Sequence, residues 1–214
     1  MAESPEPAAR RPIGRRRLFG IDRSGPKPRE TRSDQPWRPL TIPNLVGYLR
    51  LAGIPVFLVV AFGSGDGRTA AAAAIFWLIA ATDYLDGLLA RATGQYSRLG
   101  ALLDPLVDRL TILAGVVVCW HFELLPRWAL AVLIVRELAT LALAQLALRR
   151  GVELEITWVG RIAVFLIMSG IFWTMVIDSI VIPVIFVVGV LMACAATVLY
   201  VRSGRRRLHA TPAY

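Results

Sequence analysis

The run DYLDGLLARATGQYSRLGALLDPLVD, residues 83–108, decides how this chain folds. It sets four aspartates, Asp83, Asp86, Asp104 and Asp108, between two apolar runs, AAAAAIFWLIAAT at 70–82 and LTILAGVVVCW at 110–120. The uncharged part of the first, Thr69 to Thr82, is 14 residues long. A helix needs about 20 residues to cross roughly 30 Å of hydrocarbon, so this one has to continue through its acids. That places them at or just inside the cytoplasmic boundary of a bilayer. Helix periodicity then sorts them. Asp83, Asp86, Gly87 and Ala90 follow an i, i+3, i+4, i+7 pattern and share a face, as do Gly100, Asp104 and Asp108 on the next helix. Thr93-Gly94-Gln95 reads as a turn, so the helices pack antiparallel. At 1.5 Å per residue, Asp86 and Asp104 both lie about 13 Å from the turn, and Asp83 and Asp108 lie level about 5 Å further on.

The rest of the 214 residues agrees with a bilayer setting. Hydrophobic residues make up 56%, mean hydropathy is +0.59, and only 18% are charged, against about 25% in soluble globules. Six apolar stretches follow Leu45, near 45–62, 70–91, 99–120, 128–148, 158–177 and 181–201. The chain is expected to be an all-α polytopic membrane protein of six transmembrane helices. Pro43 and Pro183 sit near span starts, where proline is tolerated, whereas Pro55 should kink the first span.

The loops orient it. Arg68 and Arg127 are the basic residues between spans 1 and 2 and spans 3 and 4. The other side carries Arg91 with Arg98, Arg149 with Arg150, and the C-terminal Arg202, Arg205, Arg206 and Arg207. Positive-inside bias therefore puts both termini in the cytoplasm, as an even number of spans requires. Residues 1–40 form a separate block with ten basic and five acidic residues, too polar to bury a core and expected to be disordered. Such an arm is compatible with nucleic acid, but the reading adopted is a cytoplasmic tail attracted to anionic lipid, with no nucleic-acid partner. No secretory leader is expected in it, and residues 203–214 form a second cytoplasmic tail. Trp37, Trp120, Trp128 and Trp158 fall at span ends as interface anchors. Cys119 and Cys194 have no disulfide or zinc spacing, and neither His121 nor His209 is given a role.

Four carboxylates so close in a low-dielectric site either raise one another's pKa or recruit cations. An oxygen-only donor set suits Mg²⁺ or Mn²⁺, and four carboxylates suffice for two ions, the arrangement that clamps attacking and leaving oxygens in phosphoryl transfer. The competing reading is four aspartates salt-bridged to arginines in a packed bundle. Gly87 and Gly100 leave a gap on the acidic faces, either for close helix packing or for a flat group such as a nucleotide base.

Taken together, Asp83-x2-Asp86-Gly87-x2-Ala90-Arg91, eight residues, then Gly100-x3-Asp104-x3-Asp108 resembles the signature of the CDP-alcohol phosphatidyltransferases at every specified position. The six-span layout and Thr41-Ile42-Pro43-Asn44 leading into Arg50 are similar to the family too, so the resemblance covers about 41–202. It implies that CDP-diacylglycerol gives a phosphatidyl group to an alcohol with release of CMP. By the same resemblance Asp83, Asp86 and Asp104 bind metal at the diphosphate. Asp108 binds the second ion and is the general base. Gly87, Ala90, Arg91, Ser97, Gly100, Asn44 and Arg50 fall to substrate binding. The resemblance also implies a homodimer in the plasma membrane, multi-pass, with its site facing the cytoplasm.

For the acceptor, Thr157-Trp158-Val159-Gly160-Arg161-Ile162-Ala163 keeps one basic residue, Arg161, where relatives that use glycerol 3-phosphate carry more. A phosphomonoester dianion wants several cations. The expected acceptor is phosphatidylglycerol, giving cardiolipin. Glycerol 3-phosphate is the alternative, and inositol phosphate stands behind both. Arg136 and Glu137, adjacent in span 4, point about 100° apart and are not expected to pair simply with each other. Arg136 then reaches either the acids or an acceptor phosphate, or joins a salt bridge between helices. A carrier using the carboxylates as a cation site is the rival class, disfavoured because all four acids fall on one helix pair rather than in matching halves.

Overall fold

A computed structural model describes residues 39–93, 97–149 and 158–210. Side chains at 43, 84–93, 98, 101–102, 144–149 and 200–210 lie outside that description, as do the N-terminal tail and the 94–96 turn. The described residues form six helices and no strand: α1 Ile42–Gly63, α2 Ala70–Thr93, α3 Arg98–His121, α4 Arg127–Arg149, α5 Trp158–Thr174 and α6 Val181–Ala210. They follow the expected stretches with two differences at the ends. α5 stops at Thr174, and α6 continues as helix through Ala210, well into the stretch read as a tail.

α1 begins where its sequence provides a start. Thr41 has extended backbone, its Oγ1 accepts from the Asn44 amide at 3.4 Å, and proline occupies the first turn, where a missing N–H costs nothing. α1 runs as one helix through Pro55, and α3 through Pro105. Among the described residues two helices are long and apolar enough, by length and composition, to cross a membrane: Asn44–Gly63 with a mean hydropathy of 2.1 and Val181–Leu199 with 2.7. Ala70–Asp83 and Trp158–Thr174 are shorter apolar helices. The polar groups that interrupt α2, α3 and α4 are the acids of the signature and the Arg136–Glu137 pair.

All six helices present large apolar side chains outward, among them Val59, Trp77, Val117, Val135, Phe165 and Leu191. Inside, Phe57 of α1 meets Phe76 of α2 at 5.4 Å between ring centroids, and Val107, Leu130, Ile171 and Phe186 are fully enclosed. α5 and α6 pack through small residues. A Cβ on Gly189 would stand 2.9 Å from Leu166 Cβ and 3.0 Å from the Ile167 backbone nitrogen. A Cβ on Gly170 would stand 2.8 Å from Phe186 Cβ.

The end of the bundle far from the signature's turn is tied by side chains rather than by regular structure. Arg68, between α1 and α2, donates to both carboxylate oxygens of Asp178, between α5 and α6, at 3.0 and 2.9 Å. Thr174 Oγ1 donates to the Leu124 carbonyl at 3.1 Å. Gly67 has φ +73° and lies against the Phe122 ring, so both its backbone and its surroundings require glycine.

The α5–α6 contact makes a differential prediction. Gly189→Ala should destabilise the purified chain by about 1–3 kcal/mol through overpacking. Gly47→Ala, whose added Cβ meets nothing within 4 Å, should be neutral or gain up to about 1 kcal/mol of helix propensity. Unfolding titrations of both variants in the same micelles check this.

Candidate functional site

One buried arginine organises the signature's helices. Arg50, on α1, is 3% exposed. Its Nε donates to the Ile79 carbonyl of α2 at 3.1 Å. Its two terminal nitrogens donate to Asp83 Oδ1 of α2 at 3.0 Å and to Asp108 Oδ1 of α3 at 2.6 Å. A planar guanidinium presents its donors to these acceptors in a fixed fork, where an ammonium would offer three donors from one freely rotating centre. The two carboxylates that the helix rise puts at one level are thus brought to one cation, and three helices are joined there.

Two carboxylates sharing one guanidinium keep a net negative charge. Each contact is made to a single oxygen, and the Asp83 and Asp108 side chains are 46% and 45% exposed. Both carboxylates are thus held on the inner side and reach solvent on the other. Asp104, one helical turn before Asp108, is exposed on α3. Among the described residues no group of three or more His, Cys, Asp or Glu stands ready to hold a metal ion. The side chains of Asp86, Gly87, Ala90 and Arg91 lie outside the described residues. What is described fits a hard divalent cation by donor chemistry: two half-exposed carboxylates from separate helices converge, and both are oxygen donors.

A second cluster fixes the start of α3 against α1. Ser97 has extended backbone (φ −135°, ψ 149°), and its Oγ accepts from the Gly100 amide at 2.9 Å, an N-cap. The same hydroxyl donates to Asn44 Oδ1 at 2.9 Å. Asn44 Nδ2 in turn donates to the Pro39 carbonyl at 3.2 Å. Ser97 and Asn44 are 7% and 2% exposed. A Cβ on Gly100 would stand 2.6 Å from Asn44 Oδ1, so close approach of α1 to α3 accounts for this glycine.

Arg136 and Glu137 correct an expectation: they pair with each other, the Arg136 Nη1 donating to Glu137 Oε1. The angle between neighbouring Cα–Cβ bonds does not prevent this, because the arginine side chain is long enough to fold back along the helix. Its Nε also donates to Thr197 Oγ1 of α6 at 3.3 Å. Arg109 of α3 donates to the Glu137 carbonyl at 3.2 Å and lies 4.0 Å from its carboxylate. The described partners of Arg136 are therefore Glu137 and Thr197, not the signature aspartates. Arg109, the residue after Asp108, was not singled out in the sequence, and its position beside the last signature acid was the available signal. Arg161 stacks on Trp158, 5.1 Å from the ring centroid, at the end of α5 on the same side of the bundle as Ser97.

Comparison with known proteins agrees with the signature. The model of the CDP-alcohol phosphatidyltransferase family matches residues 40–200. The chain is 40% identical over 136 residues to the CMP-forming cardiolipin synthase of Streptomyces coelicolor, covering 61% of this chain and 63% of that protein. It is 30% identical over 133 residues to the CDP-diacylglycerol–glycerol-3-phosphate 3-phosphatidyltransferase of Bacillus subtilis, covering 56% and 69%. A Pseudomonas fluorescens protein of the same name is 38% identical over 108 residues, covering 50% and 55%. The match to the Streptomyces relative thus spans a little under two thirds of its length.

The Arg50 bridge makes the next prediction. Arg50→Met strands two carboxylates and should cost about 3–5 kcal/mol. Asp83→Asn should cost less, because Arg50 keeps Asp108. A double-mutant cycle between the two, read from unfolding titrations, should return a coupling of about 1 kcal/mol or more. Simple additivity would show that the bridge contributes nothing.

Proposed function

The chain belongs to the CDP-alcohol phosphatidyltransferase family, and on that premise we propose that it transfers the phosphatidyl group of CDP-diacylglycerol to an alcohol, releasing CMP. The observation that carries the proposal is the convergence of Asp83 and Asp108 on one buried guanidinium, within the segment that matches the family. Phosphoryl transfer needs positioning and charge neutralisation more than covalent catalysis, and a rigid pair of carboxylates answers that need.

Asp83, Asp86, Asp104 and Asp108 would hold two divalent ions, Mg²⁺ or Mn²⁺, which supply charge neutralisation at the diphosphate. Asp108 is the proton acceptor: the acceptor hydroxyl gives its proton to the carboxylate as its oxygen forms the new bond to the phosphatidyl phosphorus. The anhydride bond to CMP breaks in the same displacement. By the family signature, Gly87, Ala90, Arg91, Ser97 and Gly100 would bind the nucleotide. Ser97 and Gly100 would do so from a helix start that Asn44 holds in place.

A lipid donor keeps its acyl chains in the bilayer, so the site has to open at a membrane boundary. The outward apolar side chains on all six helices support a bundle surrounded by lipid. The basic loops at the signature's end support six crossings with both termini and the site in the cytoplasm of a plasma-membrane protein. A homodimer is the proposed assembly.

Phosphatidylglycerol is the proposed acceptor, with cardiolipin as the product. Arg161 is the one basic residue at the start of α5, and it is stacked on Trp158. Arg136 has its described bonds within the bundle. A phosphodiester monoanion asks for fewer cations than a phosphomonoester. Glycerol 3-phosphate is the second reading, favoured by the names of the Bacillus and Pseudomonas relatives.

Two outcomes test this. Purified chain given CDP-diacylglycerol and Mg²⁺ should release CMP with phosphatidylglycerol in preference to glycerol 3-phosphate or inositol phosphate, and EDTA should abolish release. The opposite acceptor preference would select the second reading, and release of no CMP with any alcohol would remove the enzyme reading. Asp108→Asn should lower turnover by at least about 100-fold while CDP-diacylglycerol binding is largely kept. Full activity in that variant would dismiss Asp108 as the base.

A further inference from the structure

We infer that Arg50 is a positioning residue for the divalent-ion site: it stays in place behind the Asp83 and Asp108 carboxylates and turns their exposed sides toward the metal. The inference rests on the proposed metal site and assigns Arg50 a role other than contact with substrate.

Three observations carry it. First, Arg50 is anchored independently of the acids, because its Nε donates to the Ile79 carbonyl and its side chain is 2% exposed. A guanidinium fixed at that edge cannot swing away when the carboxylates take another ligand without stranding a buried donor. Second, its two terminal nitrogens reach the two acids separately, Nη1 the Asp83 Oδ1 and Nη2 the Asp108 Oδ1, so one planar group sets both carboxylates. Third, burial is sharply one-sided. Arg50 lies inside the bundle, while the two acids it holds are 46% and 45% exposed, so an ion approaches them from the side away from Arg50.

Metal-binding carboxylates are commonly held by a second hydrogen bond that fixes their orientation, and loss of that partner typically costs 10–100-fold in metal affinity or activity. Here the partner is a cation, so two effects oppose each other. Its charge weakens cation binding, while its fork sets the direction of both ligands. The geometry says that the fork matters more, since one rigid group sets the two acids from α2 and α3 at a fixed separation.

The test is Mn²⁺ binding to the purified full-length chain without substrate, measured calorimetrically for wild type, Arg50→Lys and Arg50→Gln. Lysine keeps the charge and loses the fork; glutamine loses the charge and keeps a neutral amide donor. Positioning predicts weaker Mn²⁺ binding in both, by roughly 10–100-fold, with the Mn²⁺ concentration for half-maximal CMP release rising in step. A pure counter-charge predicts unchanged affinity in Arg50→Lys and tighter binding in Arg50→Gln, and that pattern would overturn the inference. So would unchanged affinity in both, which a merely structural arginine would give. If wild type itself binds no Mn²⁺, the metal site falls and the inference with it; if wild type binds and the variants bind equally, only the inference falls. Wild type provides a readout that needs no variant. In ¹⁵N-arginine-labelled protein, Mn²⁺ but not Mg²⁺ should broaden the Arg50 guanidinium signals, and unbroadened signals would refute its place beside the ion.

Discussion

A charged group inside a bilayer-sized bundle is tolerated only when its charge and its hydrogen-bonding capacity are met nearby. Arg50 meets that condition with acceptors on two other helices that include the Ile79 carbonyl, Asp83 and Asp108. Arg50 is buried on α1 with those acids as its counter-charges, while the acids themselves remain half exposed. The register of three helices is thereby set by one side chain. Around it the packing is ordinary, with small residues where helices cross closely and aromatic contacts such as Phe57–Phe76 where they do not.

The helices and the shared level of Asp83 and Asp108 were legible in the sequence because both follow from simple repeats. Apolar runs of bilayer length give helices, and the 3.6-residue period with a short turn gives the pairing of Asp83 with Asp108. The role of Arg50 was harder to see. Its number, 33 positions before Asp83 and 58 before Asp108, carries no periodic relation to either, so only tertiary packing reveals that one guanidinium serves both. The same holds for Gly100. Its spacing marks it as a face-sharing residue, yet nothing local announces that the Asn44 amide oxygen fills the space beside it. The Arg136–Glu137 pair was misjudged by reasoning from backbone directions alone, which ignores the length of an arginine side chain.

The bundle's two ends differ in kind. At the end away from the signature, exposed loops are joined by the Arg68–Asp178 fork and the Thr174–Leu124 bond, contacts that hold helices together without chemistry. At the signature's end the helix starts of α1 and α3 are capped by Thr41 and Ser97 and joined through Asn44. Side-chain hydrogen bonds therefore order the helix starts at the same end as the half-exposed carboxylates. A phosphoryl-transfer site needs that arrangement, because misplaced ligands forfeit the stabilisation that positioning provides.

The account stands on one contact geometry, and a density map of the chain in lipid nanodiscs measures it most directly. It should show the Arg50 guanidinium within hydrogen-bonding distance of both Asp83 and Asp108, with its Nε on the Ile79 carbonyl. A map in which Arg50 points elsewhere, or in which the two carboxylates lie apart with separate partners, would contradict it.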